Sequence, residues 1–496
     1  MAVNKKHQLL AAQRVTYRKA MLSLFGLLLI LFSVTMLPPL LVSVLYDDGG
    51  TRAFLEAFVS TLSIGLLLRL SIRHQNLDLR KRQGFLVVVG VWIVVSLLSA
   101  LPFMLAQHPH MRFVDAVFES VSGLTTTGAT VLANLDQLPH SILYYRAQLN
   151  LLGGMGIVVL AVAILPVLGI GGMQLYRAET PGPMKDEKLT PRIRETAKRL
   201  WYVYVGLVIA CAVAYWLAGM NAFDAIAHSF ATLALGGFST HSQSIGYFHS
   251  APIEIVGGVF SLLAGVNFAL YYVAWKNRSL IAILRNAEFQ FYVAVLGIVV
   301  AATCVALWMT GTFGPWRSFY HGFFQAASIA TDNGLTAGNY PHWPVFIPLL
   351  LIFASFFGGS VGSTCGGIKA FRFLLLFRQS LREIRLLIHP SAQIAIKVGQ
   401  ALVSERVVEA VWGFFFLYIF AFCFLSLAVT MTGVDLETAF GSVAACLNNM
   451  GAGFGATAAQ FGTLTPVAKW LLSVAMLLGR LEVFPLLLLF SRDFWK

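Results

Sequence analysis

Ten long apolar runs recur along this chain, at 21–45, 53–70, 84–106, 144–170, 200–219, 253–275, 289–311, 343–378, 405–431 and 466–490. A helix rises 1.5 Å per residue, so about 20 apolar residues cross the ~30 Å hydrocarbon core of a bilayer. Only 11% of the 496 residues are charged and 58% are hydrophobic. That is too little charge to solvate a globular surface, which commonly takes about a quarter of the residues. The expected fold is an all-α polytopic membrane protein. The first run is too long for a signal-peptide core and reads as a retained span.

The net charge of +13 is distributed by topology. Segments 5–19, 69–82, 177–199, 276–285, 369–406 and 492–496 hold 29 of the 35 Lys and Arg. If they share one face, the positive-inside rule makes that face cytoplasmic, with both termini on it. An even number of spans is then required, and ten satisfies it. Nucleic acid is not an expected partner; membrane lipids are. The five cysteines, at 211, 304, 365, 423 and 446, lie in apolar segments without metal-ligand spacing and read as reduced, buried thiols.

Four connections on the opposite face are too apolar and too small-residue-rich for solvent loops: 113–130, 223–240, 319–336 and 437–455. Aligned on Gly128, Gly237, Gly334 and Gly451, each has a small residue twelve positions back: Ala116, Ala225, Gly322 and Ala439. Spacings of 109, 97 and 117 residues suit one membrane module copied four times. Each module reads as helix, re-entrant half-helix, extended loop, helix. The expected architecture is two N-terminal transmembrane helices (1–80), then four modules (81–196, 197–285, 286–400 and 401–496) around a central pore. That makes about ten transmembrane helices and four half-helices.

Irregular backbone at membrane depth persists only where protein buries it or where it lines an aqueous path. Four extended loops on one axis would present carbonyls that replace a cation's hydration shell. The expected filter is Thr126, Thr127 and Gly128; Leu235, Gly236 and Gly237; Asp332, Asn333 and Gly334; Asn449, Met450 and Gly451. The competing reading of any one loop is a small-residue helix-packing patch. Four at matching positions favour the filter.

Further stretches carry a family resemblance: LLGGMGIVVLAVAILP (151–166), ETPGPMKDEKLTPRIRETAKRLW (179–201), GGSVGSTCGGIK (358–369) and GRLEVFPLL (479–487). With the four loops, they resemble the Trk/Ktr/HKT superfamily of potassium transporters, specifically its bacterial TrkH branch, nearly end to end. The resemblance implies uptake of potassium and rubidium across the bacterial inner membrane. It implies a homodimer with one pore per protomer and a cytosolic TrkA-like nucleotide-binding ring, so that any regulatory nucleotide sits on the partner and this chain needs no organic cofactor. The family often has proline in the fourth loop where this chain has Ala452. A serine at the first filter glycine accompanies sodium transport in eukaryotic relatives; glycine at all four positions favours potassium.

Gly358, Gly359, Gly362, Gly366 and Gly367, interspersed with Ser360, Ser363 and Thr364, make a continuous helix costly. The residues alone leave a gating break and a glycine-rich packing face equally open; the resemblance implies a gate. Arg480 in the last span should face water or an acidic partner, since a mid-membrane charge costs at least ~2.5 kcal/mol. In the family the matching arginine projects into the permeation path; the alternative is an ion pair, with Glu482 close in sequence. Lys369 either tunes cation passage or snorkels to the interface. Asp115 and Asp224 read as N-caps, His228 and His321 as packing residues. Asp332, Asn333, Asn448 and Asn449 read as loop braces or as attractors of cations to the mouth.

No nucleophile elbow, haem pair or phosphate loop is present to suggest an enzyme, and four glycine loops do not suit an ammonium or small-organic carrier. Whether flux is passive or a proton- or sodium-coupled symport is open at this level.

Overall fold

The computed structural model describes residues 21–70, 81–163, 189–338, 340–399 and 401–492. Residues 5–19, 177–188 and 493–496, where several basic positions and part of the 179–201 motif fall, lie outside the described residues. The described chain is helical apart from one short antiparallel pairing of Lys397–Val398 with Ala401–Leu402. In chain order the helices that matter are α1 (Leu37–Tyr46), α2 (Thr51–Leu70), α3 (Lys81–Ser99), α4 (Phe113–Leu124), α5 (His140–Ala163), α6 (Leu189–Leu217), α7 (Ala222–Ala234), α8 (Ala251–Ala264) and α9 (Phe268–Asn277). They continue as α10 (Ala287–Met309), α11 (Pro315–Ala330), α12 (Phe346–Ser355), α13 (Ala370–Ile388), α14 (Glu405–Thr430), α15 (Leu436–Leu447), α16 (Pro466–Arg480) and α17 (Phe484–Phe490).

Among the described residues, six helices are continuous, long and apolar enough to span a membrane: Met21–Tyr46, Thr51–Leu70, Phe85–Leu105, Ala197–Leu217, Ala287–Met309 and Glu405–Thr430. The other four expected spans are the second helices of the four expected modules, and each is polar or interrupted. The run 144–170 appears as α5, which carries Arg146, Gln148 and Asn150; its part beyond 163 lies outside the described residues. The run 253–275 is α8 and α9, bent by 89°. Segment 356–369 divides 343–378 into α12 and α13, and the last run stops at Arg480 before α17 begins.

The chain divides into two compact units. In the first, up to Ser120 with 137–145 and the residues from Phe484 on, the first two spans cross with their backbones close together. A Cβ on Gly26 would stand 2.8 Å from the Gly65 carbonyl oxygen. Asp48 accepts the Ser141 amide at 2.7 Å, and the Tyr145 hydroxyl donates to the Ser99 carbonyl at 3.0 Å. The second unit, 121–136 and 146–483, contains all four glycine loops, the 356–369 segment and Arg480. The small residues twelve back from the loop glycines are helix-packing positions. Ala116, Ala225 and Ala439 are buried, and a Cβ on Gly322 would meet Cys304 Sγ at 2.9 Å.

Two sequence expectations need correction. Asn221, not Asp224, caps α7, its side chain accepting the Asp224 amide at 2.8 Å; Asp115 lies inside the first turn of α4. The cysteines are free as expected, but Cys423 is exposed on α14 and Cys304 is half-buried.

Candidate functional site: four glycine loops and the segment beneath them

The four half-helices α4, α7, α11 and α15 end in the same way. The amides of Thr127, Gly236, Asn333 and Met450 each reach back at 2.8 Å to Ser122, Ala231, Ser328 and Ala445. The amides one residue earlier, of Thr126, Leu235, Asp332 and Asn449, bond the third carbonyl back at 3.1–3.3 Å. This paired bonding is the Schellman termination, and it requires a left-handed residue. That residue is Thr126, Leu235, Asp332 or Asn449, with φ of 51°, 52°, 63° and 57°. A side chain in this region costs about 1 kcal/mol or more. Four such residues at equivalent positions are therefore held there by their surroundings.

Each loop then reaches its glycine, also at positive φ: 81° at Gly128, 70° at Gly237, 76° at Gly334 and 75° at Gly451. A Cβ on Gly128 would stand 2.4 Å from the Gly236 oxygen, and one on Gly237 would stand 2.6 Å from the Asn333 oxygen. One on Gly334 would stand 1.8 Å from the Met450 oxygen, and one on Gly451 would stand 2.0 Å from the Thr127 oxygen. The loops thus form a closed ring in the order first, second, third, fourth, first. Every glycine abuts the carbonyl just before the next loop's glycine. Within otherwise buried loops, Gly128, Gly237 and Gly334 keep accessible surface.

Side chains behind the ring fix it. Asn333 donates to Ser261 Oγ at 2.7 Å, Asn448 to Ser355 Oγ at 2.6 Å, and Asn449 to Thr127 Oγ1 at 3.0 Å and the Met476 carbonyl at 2.9 Å. These asparagines brace. Asp332 does not brace by a side-chain hydrogen bond: neither carboxylate oxygen has a partner among the described residues, and Oδ2 lies 3.2 Å from where a Cβ would stand on Gly358 and on Gly367. Sequence reasoning passed over Arg146, buried on α5. Its guanidinium donates to the Ser239 carbonyl at 2.9 Å and to Thr130 Oγ1 at 3.1 Å, and lies 4.2 Å from the Phe238 ring centroid. A charge within an apolar run was the available signal, as it was for Arg480. His228 is buried between the Asp224 carbonyl and Ser239 Oγ, both at 2.9 Å. His321 meets Glu254 at 2.8 Å.

Segment 356–369 packs under the ring as irregular backbone. Thr364 Oγ1 donates to the Leu233 carbonyl at 3.0 Å, and the Gly367 amide to the Asn448 carbonyl at 3.2 Å. Both acceptors lie at the ends of half-helices. The Ser360 amide donates to Gly265 at 2.8 Å, and the Val361 amide to Glu288 Oε1 at 2.7 Å. A Cβ on Gly366 would stand 1.9 Å from the Asn448 oxygen, so this glycine permits direct backbone contact. Of the other gate residues proposed from sequence, Gly358, Gly362 and Gly367 sit at positive φ, as does Lys369 at 83°, while Gly359 and Ser363 are buried within the segment.

Arg480 ends α16 beside this segment. It donates to the Thr364 carbonyl at 2.9 Å and to the Gly153 carbonyl at 3.1 Å, and forms no carboxylate pair among the described residues. Glu482 instead pairs with Arg372, whose guanidinium also donates to Ile368 at 3.1 Å and lies 3.9 Å from the Phe414 ring centroid. Lys369 donates to the Cys365 carbonyl within its own loop. Its ammonium is buried, which excludes snorkelling. Glycines again allow the approach. A Cβ on Gly153 would stand 1.9 Å from Leu124 O, and one on Gly479 would stand 2.0 Å from Leu447 O, equivalent contacts in the first and fourth modules.

This geometry has known counterparts. Residues 50–496 match the family model TrkH, described as a cation transport protein. The chain belongs to the TrkH family. It is 50% identical over 478 residues to the Trk system potassium uptake protein TrkH of Halomonas elongata, covering 96% of this chain and 99% of that one. The TrkH of Escherichia coli gives the same identity over 479 residues, with the same coverage. The crystal structure of the potassium transporter TrkH from Vibrio parahaemolyticus superposes with a TM-score of 0.90 at 46% identity, covering 96% of this TrkH-family chain and 99% of that one.

Proposed function

We propose that this TrkH-family chain takes up potassium, and rubidium in its place, through a filter made of the four glycine loops. The observation that carries this reading is the closed ring, in which each glycine meets the carbonyl preceding the next glycine. A ring of backbone oxygens held by left-handed caps and asparagine braces suits a dehydrated alkali cation, because its oxygens substitute for hydration water. Segment 358–368 under the ring is the gate, and Arg480 holds it. The named relatives support potassium as the cargo.

The positive-inside pattern supports an inner-membrane protein with both termini cytoplasmic. The family likeness supports a homodimer and a cytosolic nucleotide-binding partner. The reading is that of a transport protein and not of an enzyme.

Purified protein in liposomes tests this directly. Potassium and rubidium flux should exceed sodium flux under an imposed potential, and Gly128→Ser should erode the preference. Equal sodium and potassium flux in the native protein would refute the filter.

A further inference from the structure

Of the four left-handed cap residues, Asp332 alone is acidic; its equivalents are Thr126, Leu235 and Asn449. The side chain is fully buried, and neither carboxylate oxygen accepts a hydrogen bond from any described residue. Burying a carboxylate without donors is costly. Packing does not explain the charge, because Asn449 shows that the same backbone position accepts the isosteric amide. Oδ2 lies 3.2 Å from where a Cβ would stand on Gly358 and on Gly367, both at positive φ. The gate segment therefore covers the carboxylate with bare glycine backbone. Lys369 and Arg480 act on it electrostatically, yet both direct hydrogen bonds elsewhere: Lys369 to Cys365, Arg480 to Thr364 and Gly153.

We propose that the Asp332 carboxylate is a second cation site, distinct from the carbonyl ring, at the end of the filter where the half-helices terminate. The proposal rests on the filter reading above. Its ligand is the permeating alkali cation, a hard ion that prefers anionic oxygen once it leaves the carbonyls. Gly358 and Gly367 mask the site when the gate segment packs as it does here, and its displacement uncovers the carboxylate. Cation occupancy and gate closure then compete for one carboxylate, and by linkage each opposes the other.

The test is potassium flux into liposomes as a function of potassium concentration, for the native protein, Asp332→Asn and Asp332→Glu. Loss of a unit charge beside the ion should raise the half-saturating concentration about tenfold in Asp332→Asn. The potassium-over-sodium preference should stay unchanged, and Asp332→Glu should remain near native. An unchanged half-saturation in Asp332→Asn overturns the site. So does a loss of selectivity matching Gly128→Ser, which would put Asp332 in the ring itself. Asp332→Ser carries the same comparison if the asparagine variant does not fold. A native protein that passes no potassium refutes the filter reading as well; native flux with an indifferent Asp332→Asn refutes this site alone.

Discussion

Arg480 donates to the main-chain carbonyl of Thr364 at 2.9 Å, so the end of α16 holds segment 356–369 by a single charged hydrogen bond. Such a bond contributes about 1.5–3 kcal/mol. Arg480→Gln should therefore raise potassium flux through the isolated protein about ten- to hundredfold, read in liposomes without any cytosolic partner. Flux at the native level would show that the segment is held by its other contacts.

The ring glycines should not tolerate even a methyl group. Gly334→Ala places a Cβ 1.8 Å from the Met450 oxygen, and Gly451→Ala places one 2.0 Å from the Thr127 oxygen. Both should abolish discrimination between potassium and sodium. Gly206→Ala is the control: Gly206 lies in α6 with nothing near its Cβ position, and alanine there should be neutral or stabilising by about 0.5–1 kcal/mol. Selective transport by either ring variant would mean that the loops can part without cost.

Glu482 neutralises Arg372, which is buried. Removing one partner leaves a charge without compensation, at a cost of about 3 kcal/mol. Glu482→Gln should lower the melting temperature in detergent by several degrees. Adding Arg372→Met to it should recover much of the loss. A double variant no more stable than Glu482→Gln would show that Arg372 contributes chiefly through packing on Phe414.

In the connection after the second half-helix His241 bridges two carboxylates, Asp136 Oδ1 at 2.6 Å and Asp224 Oδ2 at 3.2 Å. A neutral imidazole has one donor, so both bonds require the protonated ring. Burial opposes that charge, but the two carboxylates outweigh it and raise the His241 pKa above its ordinary value. A raised pKa gives a stabilisation fully present below the unfolded value of ~6.5 and lost as pH rises through the folded value. Asp136 has the opposite sense. Burial would raise its pKa, but hydrogen bonds from His241 and Ser242 bring it below the usual carboxylate value. Its contribution is lost only as pH falls through that depressed value. Melting temperature should therefore fall as pH rises above about 6.5 in the native protein and fall less in His241→Gln. Parallel curves would remove His241 from the account.

The four glycine loops were legible in the residues because their causes are local. A backbone that must adopt positive φ while touching another main chain admits only glycine, and an apolar run long enough to span a membrane shows directly in composition. The glycines at 128, 237, 334 and 451 are one consequence; the apolar spans are the other. The left-handed caps at Thr126, Leu235, Asp332 and Asn449 were not legible, because no shared residue type marks them.

The rest depended on which backbone oxygens meet which side chains. Arg480 was expected to face water or an acidic partner, yet its terminal nitrogens donate to the carbonyls of Thr364 and of Gly153, the latter 327 positions away. Glu482, two residues on, pairs instead with Arg372 because α16 ends at Arg480 and the chain turns through positive φ at Glu482. Every residue carries a carbonyl, so a charge satisfied by one leaves no mark in composition or spacing. Only the tertiary structure selects that partner. It also placed the Asp332 carboxylate against Gly358 and Gly367.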